Sequence, residues 1–341
     1  MRKLTLLTLG LVAGAALVCA DGPGRAGKEA PKPLFRDPVH DGAADPVLVW
    51  NRGERRWFMF YTNRRANVPD TPNVTWVHGT RIGIAESVDG VIWRYRGTAS
   101  IPYGKEDYTH WAPDVFESDG TYHMFLSIVP GIFPNWDAPR EIIHLTSKDL
   151  LNWRFDGKVD LESDRVIDAT VIRLPGGAWR MWYKNERDKT PLYYADSSDL
   201  KTWKVRGPAI RDRSGEGPKV FRWKDRCWMI ADVWQGLGVY RSAECETWTR
   251  QERNLLVEPG KLPTDRARGA HPDIVVSGDR AYALYFVHQR GADADPQVEN
   301  YGRRTVIQVV ELEYRDGEIT CDRDKPTFVH LEPTAAIRQP K

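Results

Sequence analysis

A short element repeats along the chain and narrows its possible folds more than any other feature. It reads Ser-x-(Asp/Glu)-x-x-x-Trp and appears as Ser87–Trp93 (SVDGVIW), Ser147–Trp153 (SKDLLNW), Ser197–Trp203 (SSDLKTW) and Ser242–Trp248 (SAECETW). Each copy follows a short run such as RIGIAE or LYYAD and leads into another such as RYRG or KVRG, the pattern of short strands. Upstream of each copy, and once more near the C-terminus, lies a strand–turn–strand unit. These are DPVLVWNRGERRWFMFYT from Asp45, PDVFESDGTYHMFLSIV from Pro113, DATVIRLPGGAWRMWYKN from Asp168, GPKVFRWKDRCWMIADV from Gly217 and HPDIVVSGDRAYALYFV from His271. In each, an apolar run meets a polar or glycine turn and resumes at an aromatic: Trp57, Tyr122, Trp179, Trp228 or Tyr282. That is the signal of a β-hairpin. Two strands from each unit and two around each Ser…Trp element make four, recurring at intervals of roughly 50–70 residues, the size of a propeller blade. The expected fold is therefore all-β, a five-bladed β-propeller with four-stranded antiparallel blades, spanning residues 34–341. The fifth unit lacks the Ser…Trp element and ends in TVIQVVELE from Thr305 and a short strand near Ile319.

Two segments of different character precede the repeats. Residues 1–20 have a basic start, Arg2 and Lys3, an apolar run from Leu4 to Val18, and Val18-Cys19-Ala20 as a small-residue cleavage site, which reads as a signal peptide. The run is about 15 residues, short of the roughly 20 that a bilayer span needs. The protein is thus expected to be secreted or periplasmic, with lipid attachment at Cys19 as the alternative, and without a membrane span. Residues 21–33, DGPGRAGKEAPKP, read as a polar linker.

Charge excludes one broad class of function. The chain has 49 Lys plus Arg against 47 Asp plus Glu, and removing Arg2 and Lys3 balances them. No basic field for nucleic acid or an anionic membrane is present. The 14 Trp and 13 Tyr suit a β-rich protein with sugar-stacking surfaces. The repeat accounts for many of them: Trp93, Trp153, Trp203, Trp248, Trp57, Trp179 and Trp228 hold equivalent positions and read as scaffold. Glu244-Cys245 lies inside the fourth Ser…Trp copy and reads as scaffold too. Cys227 and Cys245 fall at matching heights of one expected hairpin, which leaves open either a disulfide, in an oxidising compartment, or free structural thiols.

Chemistry is sought where the repeat is broken. The innermost strand of each propeller blade lines the central channel, so the starts of the five hairpins converge. They read Asp45-Pro46, Trp111-Ala112-Pro113-Asp114, Ile167-Asp168-Ala169, Gly215-Glu216-Gly217-Pro218 and His271-Pro272-Asp273. A carboxylate at the start of an apolar strand is costly to desolvate unless paired. Several converging on one channel point to a site whose members shift one another's proton affinity.

These motifs, one per blade and in this order, resemble glycoside hydrolase family 43, five-bladed propeller enzymes acting on arabinofuranosides, xylosides and some galactosides. The likeness runs from about residue 36 to 312. It implies an α-L-arabinofuranosidase- or β-xylosidase-like hydrolase of plant or algal glycans, acting by inversion. Asp45 is then the general base, Glu216 the general acid, and Asp168 the carboxylate that orients Glu216 and keeps it protonated. His271 matches a family histidine near the axis that holds calcium or water, so a structural calcium is expected there and no other cofactor. His110, Trp111 and Asp114 are expected to contact substrate. So are Trp76 and Trp136, which lie in the blade-two inserts 67–79 and 130–140. Asp37 and Asp41 lie close upstream, but Asp45 directly precedes its strand and is preferred as the base. Arg36-Asp37-Pro38 also resembles the fructan-cleaving propellers, whose motif order this chain does not keep. The expected partner is a carbohydrate, and the expected state a monomer. The alternatives are a related propeller with another sugar specificity, a phosphorylase, or a propeller that binds glycans without cleaving them.

Overall fold

Five four-stranded antiparallel sheets, each built from four consecutive strands, make the five blades of a propeller. The computed structural model describes residues 27–189 and 191–333; the expected signal peptide and Cys19 lie outside the described residues. From the innermost strand outward, blade I is Ala43–Asn51, Arg56–Asn63, Arg81–Ser87 and Arg94–Thr98. Blade II is Thr109–Ser118, Thr121–Val129, Glu141–Ser147 and Trp153–Lys158, and blade III is Val166–Arg173, Trp179–Asn185, Leu192–Ser197 and Lys204–Ile210. Blade IV is Glu216–Trp223, Arg226–Asp232, Leu237–Ser242 and Thr249–Arg250, and blade V is Ala270–Ser277, Arg280–His288, Thr305–Arg315 and Glu318–Cys321.

The Ser-x-Asp-x-x-x-Trp element turns the third strand of a blade into the fourth. In blade I, Ser87 Oγ accepts the Gly90 N–H and donates to Asp89 Oδ1, which accepts the Val91 and Ile92 N–H groups. The same set recurs at Ser147/Asp149 and Ser197/Asp199. Side chains thus satisfy turn amides that no strand partner reaches. The tryptophan that follows packs into the seam with the preceding blade. Trp153 stands edge-on to Phe60, Trp203 to Phe125, and Trp248 to Trp182, while Trp93 packs into the blade V–I seam. Blade V has no such tryptophan, and Tyr314 meets Trp223 and Trp228 edge-on in its seam instead. One apolar cluster fills each seam. In blade IV a disulfide joins Cys227 to Cys245, tying the second strand to the turn that carries the Ser…Trp element.

No blade mixes strands from the two chain ends, so the ring is fastened otherwise. Lys28–Glu29 pairs with Phe328–Val329, Phe35 bridges Ile307 of blade V, and Gly42 bridges Thr305. Leu34, Phe35 and Val329 are buried in the blade V–I seam, and Lys32 reaches the buried Asp265 at 2.8 Å. The segment expected to be a linker is therefore part of the fold from Lys28 onward. Asp37 belongs to this strap: it accepts hydrogen bonds from Tyr61, Asn63 and the Val39 and His40 amides. Asp41 pairs with Arg36 and Arg304.

Candidate active site

Every innermost strand carries a β-bulge at the same place, and the bulged residue has a left-handed backbone. The ladders jump between Ala44 and Val47, Trp111 and Asp114, Ile167 and Thr170, Glu216 and Lys219, and Ala270 and Asp273. The residues with positive φ are Asp45 (50°), Ala112 (43°), Asp168 (60°), Gly217 (53°) and His271 (35°). A bulge bends the strand and re-aims its side chain, here to one end of the channel. Aspartate tolerates this conformation better than most residues. Gly217 has a second reason to be glycine, since a Cβ there would stand 2.6 Å from His271 Nδ1.

The bulged N–H groups are held across the seams. Ala112 N–H donates to Thr62 Oγ1 of blade I at 2.8 Å, Asp168 N–H to Ser127 Oγ of blade II at 2.9 Å, and His271 N–H to Asp232 Oδ2 of blade IV at 3.2 Å. Thr62, Ser127 and Asp232 occupy one equivalent position in the second strands, opposite Ala44, Trp111 and Glu216. In blade III that position is Lys184, opposite Ile167. An ammonium cannot accept, and Asp168 Oδ2 takes the Gly217 N–H itself at 3.0 Å. In blade V the position is Phe286, opposite Ala270, and Arg64 lies over its ring at 4.5 Å.

These elements enclose a cavity of about 460 Å³ whose floor is Asp45, Asp168, Glu216, Asp232 and His271. Asp45 Oδ1 lies 3.3 Å from Arg64 Nη2 and 3.4 Å from His271 Nδ1. Asp168 Oδ2 is 4.0 Å from the same Nδ1. Glu216 Oε2 is 3.1 Å from Lys184 Nζ, which sits 4.7 Å above the Trp234 ring. Burial pushes Asp168 up to about 7, and Glu216 and Asp45 add to the shift against His271 and Lys184. Burial and Glu216 push Asp232 up to about 6. Burial opposes the charge on His271, but Asp45, Asp168, Glu216 and Asp232 together raise it. The sequence led to the expectation that an ionised Asp168 keeps Glu216 protonated. In the structure burial raises Asp168 itself, and Glu216 lies beside the Lys184 ammonium.

Trp76, Trp111 and Trp136 all line the cavity, but the 67–79 insert that carries Trp76 joins the second and third strands of blade I and not of blade II. Trp111 is buried and donates through Nε1 to Val77 O. The Arg140 guanidinium lies 5.2 Å from the Trp111 ring and 5.9 Å from the half-exposed Trp136 ring. Two residues expected to touch substrate lie elsewhere. His110 is buried on the other side of its strand, away from the cavity lining, and burial together with Arg81 lowers its ring to about 3. Asp114 is two residues past the bulge and closes the channel: Lys219 Nζ lies 2.8 Å from both Asp114 and Asp273. These aspartates also accept the Val171 and Leu48 amides of neighbouring blades. His271 directs its Nδ1 at Asp45 and Asp168. Among the described residues no group of three or more His, Cys, Asp or Glu stands where it would hold a metal ion.

Arg64, Arg140, Glu186, Asp232, Trp234, Arg268, Phe286, His288 and Arg290 also line the cavity and escaped the sequence reading. They sit at or after the ends of second strands, in the insert of blade II or just before blade V. The second-strand ends lie beside the inner-strand starts because each pair is antiparallel, so comparing those ends across the repeats is the signal that finds them.

Solved structures share the architecture. A thermostable family-43 glycoside hydrolase superposes with a TM-score of 0.64 at 18% identity, covering 88% of this chain and 99% of that one. An α-L-arabinofuranosidase from Lactobacillus brevis gives 0.60 at 16%, covering 87% and 98%. The GH43_1 enzyme from Xanthomonas citri, complexed with xylotriose, gives 0.61 at 14%, covering 89% and 96%. No curated protein matches the sequence. The family profile described as "Glycosyl hydrolases family 43" matches residues 35–319, and a match over that much of the chain, with the five-bladed fold, means that the chain belongs to glycosyl hydrolases family 43.

Proposed function

We propose that this glycoside hydrolase is an exported enzyme that cleaves glycosidic bonds by inversion, with an arabinofuranosidase- or xylosidase-like pocket. The observation that carries the reading is the meeting of Asp45, Asp168 and Glu216, from three blades, around His271 in one cavity. Asp45, paired with Arg64 and His271, is the base that removes a proton from the attacking water. Glu216, at the start of blade IV, donates to the leaving oxygen. Asp168 acts on Glu216 through the backbone, by fixing the amide of Gly217 next to it. Trp76, Trp111 and Trp136 offer faces for sugar rings. The apolar run of residues 1–20 and the Cys227–Cys245 disulfide support export to an oxidising compartment.

The test is turnover of a nitrophenyl glycoside panel that includes α-L-arabinofuranoside and β-xyloside, with the first-formed product anomer read by NMR. Inverted product, lost in Asp45→Ala, is the expected result. Retained configuration overturns inversion. Glycan binding without turnover of any glycoside or polysaccharide favours a binding propeller.

A further inference from the structure

One wall of the cavity carries positive charge that no acid among the described residues answers. Arg268 lies two residues before the innermost strand of blade V, and Arg290 two residues after the second strand. That hairpin pairs Ala270 with Phe286, so both arginines stand at the same mouth, and both line the cavity. Their side-chain hydrogen bonds go to main-chain carbonyls: Arg268 to Trp234 O and Arg290 to Gly302 O. The acids of the cavity are engaged elsewhere. Asp45 pairs with Arg64 and His271, Glu186 with Arg140, and Glu216 with Lys184. Asp168 and Asp232 accept the Gly217 and the Trp234 and His271 amides.

The local field is felt by neighbouring groups. His288, on the same wall, is lowered to about 3 by burial and by Arg64, Arg290 and Arg268. Arg290 itself is lowered by burial and by Arg268 and Arg64. Like charges gathered without a counter-ion repel one another until an anion joins them. The rest of the chain is nearly balanced in charge, so this is a local arrangement. Guanidinium forks match the paired oxygens of a carboxylate or a sulfate better than they match a neutral hydroxyl.

Resting on the hydrolase reading above, we propose that the glycan taken into this cavity bears an oxyanion, a uronate carboxylate or a sulfate ester, seated on Arg268 and Arg290. The sugar rings lie against Trp111 and Trp136, which line the cavity from blade II. The substrate class is thereby an acidic polysaccharide or its oligosaccharides.

The experiment uses matched pairs: uronic-acid oligosaccharides with their carboxyl-reduced forms, and sulfated oligosaccharides with their desulfated forms. Binding is measured by calorimetry and cleavage by reducing ends, for the full chain, Arg268→Gln, Arg290→Gln and the double variant. An acidic member of one pair should bind about 10- to 100-fold tighter than its neutral match, and the pair that responds identifies the anion. The double variant should erase that preference, so that the acidic and neutral members of each pair bind alike. Equal binding of acidic and neutral members, or a preference that survives the double substitution, overturns the proposal. A protein that binds acidic glycans through these arginines yet cleaves nothing upholds the inference and removes the hydrolase reading. Cleavage of neutral glycosides at rates indifferent to both substitutions, with no acidic preference, does the reverse.

Discussion

Asp168 of blade III accepts the backbone N–H of Gly217 in blade IV at 3.0 Å, doing for this seam what a second-strand side chain does for the other held amides. The bond fixes the residue next to Glu216. If Asp168 serves chiefly through it, Asp168→Asn, which keeps an oxygen acceptor, should retain at least tenfold more kcat than Asp168→Ala. Equal losses in both variants would mean that the charge of Asp168, and not its hold on Gly217, is what the reaction uses.

The same carboxyl makes stability depend on pH. Raised to about 7 in the folded chain, against roughly 4 when unfolded, it keeps its proton in the native state while the unfolded state releases it. Stability is therefore full below about pH 4 and falls as pH rises to 7. Asp232, raised to about 6, and His271, also raised, act in the same direction. Asp168→Asn should melt near the wild-type temperature at pH 4 and several degrees above it at pH 8, a difference of a few kcal/mol at most. Thermal scans across pH 4–9 measure it, and a difference that shrinks with rising pH would contradict the reading.

Gly217→Ala places a methyl group 2.6 Å from His271 Nδ1 at a φ of +53°. The left-handed backbone alone costs roughly 1–2 kcal/mol for a residue with a Cβ. The imidazole must also move off Asp45. The expected outcome is a lower melting temperature, a displaced His271 ring signal in NMR, and kcat reduced more than tenfold.

Glu216 and Asp45 should separate by leaving group. Glu216→Ala removes proton donation, which matters little when the departing phenolate is already stable. Activity on a dinitrophenyl glycoside should survive far better than activity on a natural glycan. Asp45→Ala removes activation of water and should depress both alike, by about 10²–10⁴-fold. Equal leaving-group dependence in the two variants would show the roles to be misassigned.

Lys219 offers a control that lies outside the cavity. Its ammonium is buried between Asp114 and Asp273 at 2.8 Å from each. Burial works against that charge, and the two aspartates more than restore it. Lys219→Met leaves two buried carboxylates without a cation, and unfolding in urea should show a loss of about 3–5 kcal/mol. The fraction that remains folded should keep its KM.

The blades and the hairpins were legible because each rests on a repeated local signal, and so was the convergence of Asp45, Asp168 and Glu216 at strand starts. What the sequence hid was set by the bulge. Residues before it alternate faces, so Trp111 meets the cavity while His110, its neighbour, turns away. Beyond it the chain has moved down the channel, so Asp114 meets Lys219 and not a sugar. The contribution of Arg64, Lys184, Asp232 and Phe286 depends on antiparallel pairing with inner-strand starts, which no single motif announces. Lys184 in particular reads as an ordinary solvated lysine until it is set beside Thr62, Ser127 and Asp232. The raised Asp168 carboxyl was illegible too, since it follows from how deeply the fold buries that residue.

Because Lys28–Glu29 runs alongside Phe328–Val329, the two ends of the folded chain meet, and each blade is a contiguous stretch of sequence. The order in which the blades are written is thus close to arbitrary. A short linker across the clasp would make the backbone a circle that can be reopened at another inter-blade connection, where few strand pairings are broken. A permuted gene beginning with blade II should yield the same ring, with the carboxylates of blades I, III and IV arriving in a new order from the ribosome and meeting at the same axis.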